Sequence, residues 1–289
     1  MSVITAGTQR VQVPRSQATA RPSLLSSWLT LTGRRLALSA HTPREVLAPL
    51  ATPILFALVI APALAKMIPS AGHGGVDYRT FVIVGTVGLL IPLTCAFAGI
   101  GVIVDRISGA RRELLAAPVP RAVIVAGNLT VAVLTSALQV AVLMLAGWAR
   151  GTSFDVTATG IVWFAVAVLT FTVFMYSVAE ILANRIHTQE EYVGLTPVVA
   201  ILPWFLAGSL FPVTALPVGL AGIARALPTT HVLALLRYGI LDHRGGGLHD
   251  IWGFANTTTD AFLSLLVLAA WATLVTTAAL RIFHRAAVN

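Results

Sequence analysis

Long apolar runs without a single charge dominate this sequence, and the clearest of them is Phe81–Val104, 24 residues long. An α-helix rises about 1.5 Å per residue, so roughly 20 apolar residues cross the ~30 Å hydrocarbon layer of a bilayer. Hydrophobic residues make up 57% of the chain and charged residues only 10%, whereas soluble domains average about 25% charged residues. A soluble fold of this composition would lack the polar side chains to cover its surface. The sequence therefore predicts an all-α integral membrane protein.

Six runs have the length and apolar character of a crossing. They are residues 46–65, 81–104, 122–147, 160–183, 193–210 and 262–280. Residues 1–22, which contain several Arg, Ser and Pro residues and no acidic residue, are predicted to be a disordered cytoplasmic tail. Residues 23–289 are then one transmembrane domain.

Two further segments are predicted to lie at the membrane without crossing it. Between Ser23 and Ala40, leucine and tryptophan recur at spacings of four, three and seven residues, which favours an amphipathic helix in the membrane interface; an irregular tail is the alternative. The stretches 216–227 and 231–241 are too short to cross, and such lengths are typical of re-entrant helices. Gly245–Gly247 is predicted to be a flexible turn.

The basic residues predict the orientation. Eighteen of the nineteen are arginine and one is Lys66, and they lie between the apolar runs, where they act as orientation signals and not as a footprint for nucleic acid. With the N-terminus inside, thirteen lie on the inner side and six on the outer side. This asymmetry places both termini in the cytoplasm. Abundant Arg, Ala and Val are typical of a bacterial protein, so the predicted location is the bacterial inner membrane.

The loop between the second and third runs, residues 105–121, is the most informative. It contains a glycine, a basic pair, an acid and a leucine pair, followed by Pro-Val-Pro-Arg. In this it resembles the permeases of type 2 ABC exporters, a superfamily of drug, polysaccharide and Nod-factor exporters, and most of all the daunorubicin-resistance-like branch. The resemblance implies a coupling helix that contacts an ATPase subunit through Arg111, Arg112, Glu113, Leu114 and Leu115. Pro118 would end that helix, because the residue before a proline is pushed out of helical geometry.

A second set of residues extends the resemblance towards the last run. The family shows a Gly-x-x-Phe-Pro, a Leu-Pro, a later Pro and an Arg in a short helix, and the matching residues here are Gly208, Phe211, Pro212, Leu216, Pro217, Pro228 and Arg237. In the family these segments are re-entrant helices on the outer side. The resemblance makes Phe211, Pro212 and Arg237 candidates for the substrate pathway or gate.

The resemblance implies an exporter that moves a hydrophobic or amphipathic molecule such as a drug, a lipid or a lipid-linked glycan, with efflux and antibiotic resistance as the commonest role in its branch. The chain shows no phosphate-binding loop, since its only lysine precedes Met67 and not Ser or Thr. ATP and Mg²⁺ would therefore bind to a partner ATPase, and this chain would carry no cofactor and no catalytic residue. A second permease copy or a related permease, and membrane lipids, are the other implied partners.

Glu180 is the carboxylate that falls within an apolar run. Such a residue marks a pathway or a relay in many membrane proteins, yet its position in the last turn would also let it reach water, and both interpretations stay open. His187 with Glu190 and Glu191 resembles a set of metal ligands only weakly, so no metal is predicted. His231, Asp242, His243, His249 and Asp250 on the outer side are solvated residues or a ligand site. Two alternative functions remain: an enzyme acting on lipid, and a proton-coupled carrier that uses Glu180.

Overall fold

The computed structural model describes residues 23–66 and 77–286. Within these ranges the chain is helical, with no β-strand. The helices are α1 (Leu24–His41), α2 (Pro43–Leu55), α3 (Ala61–Ala65), α4 (Tyr78–Ile107), α5 (Ala110–Ala116), α6 (Arg121–Ala149), α7 (Ala158–Arg185), α8 (Gln189–Leu206), α9 (Val218–Ala226), α10 (Pro228–Ile240), α11 (Gly246–Trp252) and α12 (Thr257–Ala286). The predicted tail, residues 1–22, lies outside the described residues.

Five segments are long and apolar enough to cross a membrane: Leu47–Ala65, Tyr78–Ile107, Arg121–Ala149, Ala158–Arg185 and Thr257–Arg285. The pair α9 and α10 would make a sixth if it is counted as one bent span, since the two helices meet at an angle of 79°. An all-α protein with five to six candidate spans agrees with the fold class predicted from the sequence.

The first of these segments is helical throughout but contains one π-helical turn. Helix α2 passes through a π-helical turn, Phe56–Ile60, into α3. Pro49 and Pro53 lie inside α2, and a proline removes a backbone donor and crowds the preceding turn. Prolines and π-turns are the usual causes of bends in otherwise continuous helices.

Helix α7 lies at the centre of the bundle and makes its most extensive contacts with α12, α4 and α10. The crossing of α7 and α10 is very close, because Gly160 and Gly239 meet there. A Cβ atom built on Gly160 would lie 1.9 Å from the carbonyl oxygen of Gly239. Small residues let two helix backbones approach in this way inside a membrane.

The structure changes two of the boundaries predicted from the sequence. The predicted fifth span, residues 193–210, corresponds to α8, which begins and ends four residues earlier at Gln189 and Leu206. Thr188 caps its first turn by accepting a hydrogen bond from the Glu191 amide at 3.3 Å, and Gly208 has a φ of +81°, which a helix cannot continue through. The carboxylates of Glu190 and Glu191 lie in the first turn of α8, and α8 is not among the five segments named above.

The second change concerns the glycines 245 to 247. They were predicted to form a flexible turn, and that prediction is wrong for Gly246 and Gly247, which begin α11. Asp242 fixes this helix start, because its carboxylate accepts hydrogen bonds from the backbone amides of Arg244 and Gly246 at 3.1 and 2.8 Å. The two short helices that precede α11, α9 and α10, agree with the stretches predicted between residues 216 and 241.

Candidate functional site

Helix α5 has two chemically different faces. It begins after Gly109, whose φ of +83° is a conformation that glycine adopts at no steric cost, and it ends at Ala116, two residues before Pro118. Arg111, Leu114 and Leu115 follow the i, i+3, i+4 spacing that places side chains on one helix face, and all three are half-buried against the bundle. Arg112 and Glu113 are exposed on the other side.

Arg111 points from α5 into the bundle. Its guanidinium lies over the ring of Phe283 in α12, 4.8 Å from the ring centroid, and interacts electrostatically with Glu180 of α7. Burial lowers the pKa of Arg111, and the neighbouring Glu180 opposes that shift. An arginine predicted to contact a partner subunit is thus turned towards the interior.

Glu180 is buried, with 1% of its surface exposed. Its Oε2 accepts a hydrogen bond from the Tyr176 hydroxyl at 3.0 Å and its Oε1 accepts one from Asn184 Nδ2 at 2.9 Å. The interpretation that Glu180 reaches water at the end of its helix is therefore wrong. The reason is tertiary packing, because residues of α4, α5, α6 and α12, Arg111 among them, surround the small space that Glu180 lines.

A second arginine reaches Glu180 from α1. Arg35 is 8% exposed and interacts electrostatically with the Glu180 carboxylate. Gly101 of α4 makes room for it, since a Cβ atom there would lie 1.8 Å from Nη2 of Arg35. Helix α1 packs along α6, where Trp28 Nε1 donates a hydrogen bond to Thr130 Oγ1 at 3.1 Å. We call Arg35, Arg111, Tyr176, Glu180 and Asn184 the Glu180 cluster.

The second site lies at the opposite end of α4, about 30 Å away by the rise of that helix between Gly101 and Phe81. A cavity of about 270 Å³ opens there between α4, α10, α11 and the turn that follows α8. Arg237 of α10 lines it and is 8% exposed. Its guanidinium lies over the ring of Phe81, 3.5 Å from the centroid, and donates from Nη2 to the carbonyl oxygen of Ser209 at 3.1 Å. We call this space the Arg237 cavity.

Two glycines build the contact between Arg237 and Ser209. The positive φ of Gly208 turns the chain sharply after α8. Gly85 of α4 then lets the Ser209 carbonyl come close, because a Cβ on Gly85 would lie 2.4 Å from that oxygen. Of the predicted pathway residues, the structure brings Pro212 and Arg237 together at the cavity. Phe211 is in the adjoining turn, and Glu180 belongs to the other end of the bundle.

The acidic residues of the Arg237 cavity are Asp242 and Asp250. Asp242 is engaged by the backbone of the turn before α11. Burial raises the pKa of Asp250, while the charges of His249 and Arg225 oppose the shift. Across residues 23–66 and 77–286, no group of three His, Cys, Asp or Glu side chains is placed to hold a metal ion.

Sequence reasoning missed Arg35, Tyr176, Asn184, Phe81 and Ser209. One signal was available, because Tyr176, Glu180 and Asn184 recur every four residues and so form a polar stripe along one face of an apolar helix. Arg35 could not be found in this way, since its role depends on how α1 packs against α4.

The comparison with protein families agrees with this architecture. The family model of the ABC-2 type transporter matches residues 26–241, which include nearly all of α1, α2 to α10, the whole Glu180 cluster and most of the residues that line the Arg237 cavity. The chain therefore belongs to the ABC-2 type transporter family, as its transmembrane component. No curated protein matches the chain.

Proposed function

We propose that this chain is the transmembrane subunit of an ATP-driven exporter, and that the exposed face of α5 docks onto a separate ATPase. The observation that carries the proposal is the division of α5 into two faces. Arg112 and Glu113 are free to meet a partner, while Arg111 on the opposite face interacts with the buried Glu180. A movement of α5 caused by the ATPase would thereby reach α7, the central helix, through a charged contact.

In this proposal, ATP and Mg²⁺ bind to the ATPase, and two permeases pair with two ATPase subunits. The substrate is a hydrophobic or amphipathic molecule such as a drug, a lipid or a lipid-linked glycan, which the exporter moves out of the cytoplasm. The protein lies in the bacterial inner membrane. Helix α8 crosses it, and α9 and α10 form a re-entrant pair, so that six crossings leave both termini in the cytoplasm. The excess of basic residues on the α5 side supports this orientation.

The test is coupling in a reconstituted system. The permease would be co-purified with its ATPase and placed in proteoliposomes, as wild type and as the double variant Arg112→Ala/Glu113→Ala. Truncation of arginine at the centre of an interface commonly costs about 2 kcal/mol, which corresponds to about a 30-fold weaker complex. We expect co-purification of the ATPase and ATP-dependent transport to be lost together.

The matched control is Arg150→Ala, because Arg150 is also exposed but lies at the other end of the bundle, after α6. It should leave assembly and transport unchanged. Full transport and normal ATPase assembly in the Arg112→Ala/Glu113→Ala variant would overturn the proposal.

A further inference from the structure

The Arg237 cavity contains a cation that forms no salt bridge with any carboxylate in residues 23–66 and 77–286. Arginine has five N–H donors, and among the described residues the Arg237 side chain makes one hydrogen bond, to the Ser209 carbonyl. Its Nε is buried and has no acceptor in this part of the chain, and no carboxylate of the described residues lies within 4.0 Å of it. A buried charge without a counter-charge is costly unless something else supplies hydrogen bonds.

A second orphaned donor lies beside it. Ser209 Oγ is fully buried and also has no hydrogen-bond partner within the two described ranges. The turn at Gly208 holds Ser209 against Arg237. Ser209 does not itself line the cavity, so its part is to hold Arg237. Arg237 offers donors to an anion at the wall of a cavity that is open and large enough for a small polar group.

The same cavity also contains a carboxylate that accepts no hydrogen bond from the described residues, although His249 and Arg225 interact with it electrostatically. Both carboxylate oxygens of Asp242 accept hydrogen bonds from backbone amides, so its role is to hold the start of α11. Asp250 lies half-buried on α11 and lines the cavity, and its carboxylate accepts no hydrogen bond from any residue that the structure describes. It does not pair with Arg237, since the two side chains form no salt bridge.

We propose that the Arg237 cavity binds a zwitterionic group, whose phosphate or carboxylate contacts Arg237 and whose ammonium contacts Asp250. An anion alone would satisfy Arg237 but meet the repulsion of Asp250, and a cation alone would meet the reverse. A ligand with both charges satisfies both side chains at once. A phospholipid headgroup and a free small zwitterion share this chemistry. This inference concerns binding only, and it goes beyond the export proposed above.

The test uses the purified full-length chain without any ATPase. The binding proposal can therefore fail while the export proposal stands, and the export proposal can fail while the binding proposal stands. Native mass spectrometry would measure retention of phosphatidylethanolamine against phosphatidylglycerol, which has the same phosphate but no ammonium. Free phosphoethanolamine, added in a separate titration, tests the second source. We expect the probe that carries both charges, whether lipid or free, to bind at least about tenfold more tightly than a probe that has the phosphate but no ammonium.

Three variants define the contacts. Arg237→Gln should lower binding of every phosphate-containing probe by about tenfold or more, because a charge-assisted hydrogen bond is lost. Asp250→Asn should instead abolish the preference for phosphatidylethanolamine over phosphatidylglycerol while leaving the phosphate contact in place. Arg150→Gln, which removes an exposed arginine outside the cavity, should change nothing.

Binding of the lipid alone would identify a headgroup site, and binding of phosphoethanolamine as well would identify a site for soluble zwitterions; both results support the proposal. Equal retention of the two lipids by the wild type would overturn it. It would also be overturned if Asp250→Asn, which keeps the size of the side chain and so tests the site without disturbing the fold, left the preference intact.

Discussion

A buried arginine has different partners at the two ends of the bundle. In the Glu180 cluster, Arg35 and Arg111 share a buried carboxylate that two further side chains hold in place by hydrogen bonds. At the Arg237 cavity, the guanidinium meets an aromatic face and one carbonyl oxygen, and open space takes the place of a carboxylate. In the first arrangement the protein itself supplies a carboxylate to the arginines, whereas in the second, by the proposal above, a bound ligand supplies the negative charge.

The largest effect is expected from removing the carboxylate of the Glu180 cluster. Glu180→Ala leaves the buried Arg35 and the half-buried Arg111 without the carboxylate with which they interact, and removing one partner of a buried charge pair costs about 3–5 kcal/mol. We expect the free energy of unfolding, measured by denaturation in mixed micelles, to fall by that amount. The double variant Glu180→Ala/Arg111→Ala should recover part of the loss. Additive effects of the two substitutions would show that the residues do not interact.

A substitution at the crossing of α7 and α10 should weaken ligand binding at the Arg237 cavity as well as lower the stability. In Gly160→Ala, the new methyl group meets the Gly239 carbonyl at 1.9 Å, and overpacking against backbone costs about 1–3 kcal/mol. Since α10 carries Arg237, we expect weaker binding at the cavity in addition to the lower unfolding free energy. Gly222→Ala in α9 is the matched control, because a Cβ there meets nothing within 4 Å. Equal stability of the two variants would contradict the close crossing.

A smaller effect is expected from Gly101→Ala. The added methyl group would occupy the position of the Arg35 guanidinium, but a flexible side chain can move away, so we expect a loss of about 1 kcal/mol, in the lower part of the range for overpacking. The effect should vanish in an Arg35→Ala background, where the space is free. Gly33→Ala, with nothing within 4 Å of the new atom, serves as the control. A loss that persists without Arg35 would mean that the guanidinium is not in this position.

The smallest effect is expected at the partly exposed ion pair beside the Glu180 cluster. Arg34 Nη2 lies 3.5 Å from Asp105 Oδ1, with 37% of the arginine and 16% of the aspartate side chain exposed. Pairs that water reaches contribute about 0–1 kcal/mol because water screens them. Arg34→Ala should therefore change the unfolding free energy far less than Glu180→Ala does. A comparable loss in the two variants would show that burial is not what distinguishes the cluster.

The sequence predicted the helices well, because length and apolar character are local properties. The runs 81–104, 122–147, 160–183 and 262–280 all lie inside observed helices. The start of α11 was missed, because it depends on one side chain, Asp242, that caps the backbone across three residues. The boundary of α8 was misplaced because apolar character continues past Leu206 while the backbone turns at Gly208.

The sequence identified several residues of the candidate sites, but it did not predict which of them lie close together. Glu180 and Arg111 stood out separately, and nothing in the spacing between α5 and α7 shows that Arg111 reaches Glu180. Arg237 and Pro212 were predicted together through the family resemblance, while the aromatic ring of Phe81 came from a helix more than 150 positions earlier. Contacts of this kind depend on packing between distant segments, which periodicity does not report.

The central claim is that α5 presents Arg112 to the ATPase and keeps Leu115 on the bundle side, and site-directed cross-linking tests it most directly. Single-cysteine variants Arg112→Cys and Leu115→Cys would be labelled with a photoreactive maleimide in the assembled transporter, with the native Cys95 protected by its burial. The account predicts a strong cross-link to the ATPase from position 112 and little or none from position 115. Cross-links of equal yield, or a cross-link from position 115 alone, would contradict it.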